Sequence, residues 1–224
     1  MVDRTKEPPG RPWPGKRGPL GPTARLEVLH GLRLKGFADL APVAERAGLA
    51  SERCAAELSA AEADGLALHR EGRLSGWMLT PSGRSEVAKL LAAELDGSGA
   101  RTSVEDAYQR FLAVNGEFLA LCTDWQMLDR QTLNDHSDAA YDAAVVARLG
   151  QVDDRVQPVC ADLASALPRF GSYRDRLTSA RTLVEQGDAD WFTKPMIDSY
   201  HTVWFELHED LLATLGIERS KETG

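Results

Sequence analysis

Leu79-Thr80-Pro81-Ser82-Gly83-Arg84 is the stretch on which the reading of the N-terminal half turns. An apolar run, Trp77-Met78-Leu79, stops at a threonine whose hydroxyl can cap a helix, and Pro81 suits the first helical position, where its missing N–H is not needed. A strand therefore passes directly into a helix. Upstream, Ala63-Asp64-Gly65-Leu66-Ala67-Leu68 reads as a helix end, a glycine stop and the first strand of a hairpin. Strands over Leu66 to Arg70 and Trp77 to Leu79 follow. Simple alternation puts Leu66, Leu68, Trp77 and Leu79 on one side and leaves Arg70 and Arg73 at an exposed tip around Gly72.

Working back from the hairpin, a first helix over Ala24 to Lys35 carries Leu26, Leu29 and Leu32, and a second follows Asp39 with Leu40, Val43, Ala44 and Ala47 on one face. Gly48 stops it, and Ser51 is the expected N-cap of a third helix ending near Ala63. Three helices, a hairpin and the Leu-Thr-Pro-x-Gly-Arg exit together resemble the winged helix-turn-helix of MarR-like bacterial transcriptional regulators, over roughly residues 24–97. The resemblance implies binding of double-stranded DNA, with the third helix in the groove and the wing arginines, Arg70 and Arg73, reaching the adjacent minor groove. It leaves Arg84 either as an anchor of the wing or as a phosphate contact. In the third helix Cys54, Leu58 and Ala61 share the inner side, so Glu52, Arg53, Ala56, Ser59, Ala60 and Ala63 face outward. Only Arg53 and Ser59 there are evident donors, a sparse set for reading base edges.

At 224 residues the chain is longer than one such unit, and two domains are expected. Residues 1–23 form a Pro/Gly-rich basic tail, expected to be disordered when free, whose Lys16 and Arg17 would assist phosphate contact. Residues 1–100 hold 14 Lys and Arg against 13 Asp and Glu, whereas residues 101–224 hold 12 against 21. An acidic second half is unsuited to lying along DNA. Met1 is followed by charged residues and prolines with no apolar h-region, and no apolar run approaches a membrane span, so a cytoplasmic protein is expected. Cys54, Cys122 and Cys160, odd in number and widely spaced, read as small hydrophobes and not as a disulfide or zinc framework.

Residues 98–224 are patterned as helices. Val104, Tyr108, Phe111, Asn115, Phe118, Cys122 and Trp125 alternate spacings of four and three, a heptad seam that would serve as core or dimer interface. A second seam, Val145 to Ala166, passes through Pro158, which should kink it. A third runs Phe170, Tyr173, Leu177, Ala180, Val184, and a last His201, Phe205, His208, Leu212, Leu215, flanked by Trp204 and Leu211. The expected fold class is thus mainly α: an N-terminal winged helix of three helices and a two-stranded wing, then a C-terminal antiparallel helical bundle for dimerisation or ligand sensing.

Polar groups interrupt those seams, and burying them demands partners. Asn115 is expected to meet His208, and Asp142 to meet His201 and His136 near Trp125. Three readings stay open: histidines that fix helix register, a small-molecule pocket lined by Trp125, His136, Asp142, Tyr200, His201, Trp204 and His208, and a divalent metal site, for which no compact ligand motif is present. Glu206, Glu209 and Asp210 are expected on the outer, solvated side of the last helix. No phosphate loop, nucleophile elbow or close Cys-His pair points to catalysis, and no cofactor is called for. The expectation is a dimeric DNA-binding repressor responsive to a small molecule. The rival is a winged-helix interaction module that binds protein in place of DNA, as an accessory subunit of an enzyme complex.

Overall fold

A computed structural model describes residues 22–219. Its elements run α1 (Pro22–Lys35), β1 (Phe37–Ala38), α2 (Leu40–Ala47), α3 (Ser51–Ala63), β2 (Ala67–Arg70), β3 (Gly76–Leu79), α4 (Pro81–Ser98), α5 (Arg101–Gln126), α6 (Ala139–Ala166), a 3-10 turn (Pro168–Ser172), α7 (Tyr173–Glu185), α8 (Asp190–Thr193) and α9 (Tyr200–Leu215). The protein is mainly helical, with one small antiparallel sheet in the order β1-β3-β2. Of the expected tail, residues 1–21, Lys16 and Arg17 included, lie outside the described residues, whereas Pro22 and Thr23 open α1.

The Thr80 exit is built as its chemistry suggests. The Thr80 hydroxyl donates to the carbonyl of Gly65 at 2.7 Å and accepts from the Gly83 amide at 3.0 Å. One side chain thus closes the hairpin and caps α4. Gly83 has a reason the sequence alone did not disclose: a Cβ there would sit 1.9 Å from the Leu66 carbonyl oxygen, so only glycine lets α4 approach the root of β2 this closely. Gly48 and Gly65 end α2 and α3 in left-handed conformations, at φ 65° and 70°.

Several local expectations need correction. Ser51 is the first residue of α3 and Ala50 takes the cap position, without a side-chain bond. The sheet has a third strand, β1, too short to show a period. Within it Ala67 pairs with Leu79, Leu68 with Met78 and His69 with Trp77. The inward side is therefore Ala67, Trp77 and Leu79, while Leu68 points outward with Met78 and Phe37. Counting alternation from Leu66 was one residue out of register, which is enough to flip a face. Leu68 and Phe37 are 43% and 41% exposed, so this outer face is apolar and open.

Two hydrophobic cores form. One gathers α1 to α4 around Val28, Leu32, Val43, Leu58, Val87 and Leu91; the other gathers α5 to α9 around Phe111, Phe118, Leu149, Leu163, Leu177 and Leu207. The cores meet along α4 and α9, since Leu95 belongs to the second and Ala213 to the first. α5 and α6 run antiparallel, pinned by Arg148 to Asp124, Arg155 to Glu117 and Arg110 to Asp162. α6 continues through Pro158, which is exposed. The Val104 to Trp125 seam is buried within the chain apart from Asn115, which is half-buried, so it is filled as core and not left as a dimer face.

Candidate functional site

The hairpin projects a tip of Arg70, Glu71, Gly72, Arg73 and Leu74, all exposed. Among the described residues neither Arg70 nor Arg73 has an ion-pair partner. Their footing is firm: His69 packs on Trp77 with ring centroids 4.6 Å apart, and its amide donates to Glu62 at 3.1 Å. Beside the hairpin, α3 shows a small, flat outer face. Ser59 is exposed on it, but Arg53 is folded along the helix onto Glu57 at 2.6 Å, four residues on. Of the residues expected to contact nucleic acid, then, the hairpin pair Arg70 and Arg73 is exposed, Ser59 is accessible, and Arg53 is partly engaged. Arg84 is exposed on the first turn of α4.

The seven residues expected to line one pocket are distributed over three places. At the far end of α5, Asn134 donates to the Trp125 carbonyl at 3.1 Å and to Asp142 at 2.9 Å, and His136 Nδ1 meets Asp142 at 3.0 Å with its ring 4.5 Å from Trp125. The expected meeting of Asp142 with His136 is present, yet His201 takes no part. Tyr200 is fully buried and its hydroxyl donates to Asp153 at 2.9 Å, closing it off; burial, then Asp153, pushes its phenol well above the usual range. His201, Trp204 and His208 do lie together, in a surface groove of about 230 Å³ between α5 and α9, with Asn115, Phe118, Leu119, Phe205 and Arg219. Asn115 accepts from the Trp204 indole at 2.9 Å, and the His208 ring packs on Phe111. His201 lies against Phe118 and Phe205, and burial lowers its pKa below the ordinary value. Phe205, expected inward, is 47% exposed at the groove's rim.

The largest departure concerns α9. Glu206 and Asp210 are not solvated: Asp210 is fully buried and Glu206 nearly so. They lie on the stripe Val203, Glu206, Leu207, Asp210, Thr214, which faces α1, α2, the 3-10 turn and α7. Sequence points such charges outward because it cannot show the cations that compensate them. Asp210 accepts from His30 Nε2 at 2.9 Å and Arg169 on one oxygen, and from Arg46 and Tyr173, each at 2.9 Å, on the other. Glu206 meets Lys35 at 2.5 Å, Arg176 at 2.7 Å and Arg46 at 3.6 Å. Arg169 also holds Glu94 at 2.6 Å and Thr214, and Arg176 grips Asp198 with two bonds. Burial alone would push Asp210 up, but Arg169, then His30 and Arg46, hold its carboxyl well below the usual range. His30 is shifted the other way: burial outweighs the pull of Asp210 and lowers its pKa. Lys35, Arg46, Arg169 and Arg176 balance Glu94, Asp198, Glu206 and Asp210, four against four, with His30 as the odd member.

Cys54, Cys122 and Cys160 are free and buried, and burial pushes their thiols up to about 11, 12 and 12. Among the described residues no group of three or more His, Cys, Asp or Glu is arranged to hold a metal ion, and no helix is long and apolar enough to cross a membrane. No family model, curated protein or solved structure matches the chain.

Proposed function

We propose that this chain is a DNA-binding transcriptional regulator whose residues 22–98 act as a winged helix-turn-helix similar to that of MarR-like regulators. The observation that carries this reading is the element order α1-β1-α2-α3-β2-β3-α4 with a hairpin tip presenting two exposed arginines, Arg70 and Arg73, that have no ion-pair partner among the described residues, beside a helix whose outer face is accessible. In this reading α3 enters the groove and the wing supplies phosphate and minor-groove contacts; Ser59 and Arg53 add little. The active form is a dimer on a pseudo-palindromic site, and the groove holding His201, Trp204 and His208 takes a small effector. Because the α5 seam is filled within the chain, dimerisation uses another surface.

Fluorescence anisotropy with a labelled duplex tests the reading. The wild type is expected to bind weakly at physiological salt and better as salt is lowered, and Arg70→Ala/Arg73→Ala to lose nearly all binding. Equal affinities for the two proteins would remove the wing from the interface. A second reading, a winged-helix module that docks on protein, is favoured by two observations: Arg53 is turned onto Glu57, and the outer sheet face carries the apolar row Phe37, Met78, Leu68, exposed at Phe37 and Leu68. No DNA binding at any salt, combined with capture of a partner protein that Leu68→Asp abolishes, would establish it instead.

A further inference from the structure

The charged layer between the two cores has the composition of a latch. A domain contact made of apolar side chains responds little to pH, but this one is a network of four cations and four carboxylates, buried at Asp210 and Glu206 and reaching solvent at Asp198, with one imidazole held against Asp210. His30 of α1 meets Asp210 of α9 and Arg169 of the 3-10 turn; Arg46 of α2 and Tyr173 of α7 bond to the same Asp210, Thr214 of α9 to the same Arg169, and Glu94 of α4 and Glu206 of α9 are held by those arginines. His30 is 3% exposed, and its Nδ1 has no hydrogen-bond partner among the described residues. With Nε2–H donating to Asp210, a neutral ring leaves only a lone pair at Nδ1. A protonated ring would place an N–H there, buried, with no acceptor, and would add a fifth positive charge to a balanced layer.

We propose that the junction is a proton-released latch, in which protonation of His30 frees the α1–α4 unit from the α5–α9 unit and loosens the helices that line the junction, α1, α2 and α9, while the α5–α6 core persists. The proposal concerns the junction and does not depend on what the N-terminal unit binds. The closed junction favours neutral His30, consistent with its lowered pKa, so closure is complete above the ordinary histidine value and is lost as pH falls below it. If the open state restores a pKa of about 6.5 and the closed state stays neutral, the opening constant rises about 30-fold between pH 7.5 and 5.0. Asp210, held far below that range, stays ionised throughout.

Hydrogen–deuterium exchange of the full chain, corrected for the intrinsic pH dependence of amide exchange, tests the latch. Peptides from α1, α2 and α9 are expected to open about 30-fold more at pH 5.0 than at 7.5, with the facing residues of α5 and α6 unchanged. His30→Gln, which keeps a donor for Asp210 and cannot titrate, should abolish the rise. Should that variant fail to fold, histidine side-chain NMR of the wild type decides: His30 must be neutral at pH 7.5 and gain its proton in step with junction exchange. A flat wild-type profile, a rise spread equally over α5 and α6, a rise that persists in His30→Gln, or a charged His30 at pH 7.5 would each overturn the proposal.

Discussion

Asp210→Asn removes one negative charge from the junction and almost nothing else, since asparagine matches aspartate in volume. Asp210 accepts from four donors on α1, α2, the 3-10 turn and α7, and all of its side chain is buried. The amide nitrogen cannot accept, so one pair of donors is left facing another donor, and Arg46 and Arg169 lose a shared counter-ion. Breaking a buried ion pair from one side costs roughly 3–5 kcal/mol, a large part of the 5–15 kcal/mol that holds a typical protein together. At about 2–4 °C per kcal/mol for a protein near this size, Tm is expected to fall by roughly 6–20 °C, read by scanning calorimetry at pH 7.5. Asp154→Asn, on an exposed carboxylate of α6, should move Tm by no more than ~2 °C. Arg46→Met should cost less in the Asp210→Asn background than alone, because its guanidinium would already have lost that partner. The folded carboxyl lies below the ordinary aspartate value, so this stabilisation is complete above about pH 4 and is lost as pH falls through the folded pKa. A Tm within ~3 °C of wild type for Asp210→Asn would refute the view that the layer holds the two cores together.

Two further consequences concern other parts of the chain. Gly83→Ala drives a Cβ into the Leu66 carbonyl and should cost ~3 kcal/mol in urea denaturation, the upper end of overpacking penalties, whereas Gly97→Ala, with open space around it, should be neutral or stabilising. The three cysteines should resist a thiol reagent at pH 8 in the folded protein and react fully after denaturation; rapid labelling of any one in the native state would contradict their burial.

Elements set by local chemistry were legible from sequence. Thr80 and Pro81 announced α4, Gly48 the end of α2, and the four-three spacing of Val145 to Leu163 the buried side of α6. What escaped were features whose cause lies far along the chain. The two-residue β1 has no period of its own and exists because β3 offers an edge. Glu206 and Asp210 looked solvated because their partners, His30, Lys35, Arg46, Arg169 and Arg176, lie up to 180 residues away. The one available signal was positional: both carboxylates share a stripe with Val203, Leu207 and Thr214, where solvated charges would be out of pattern. The ligand set failed as a single pocket for the same reason. Tyr200 points to Asp153 and Trp125 to Phe192, choices fixed by packing partners and not by helical period.

The central claim, that the hairpin tip contacts DNA backbone, is tested most directly by the salt dependence of binding. Each phosphate neutralised contributes about −0.9 to the slope of log K against log salt on a duplex. Titrating the full-length wild type and the single variants Arg70→Ala and Arg73→Ala against one duplex over a range of salt concentrations should show each variant's slope shallower by about 0.9, the contribution of one lost contact. Parallel slopes would contradict the assignment of the wing as the DNA contact.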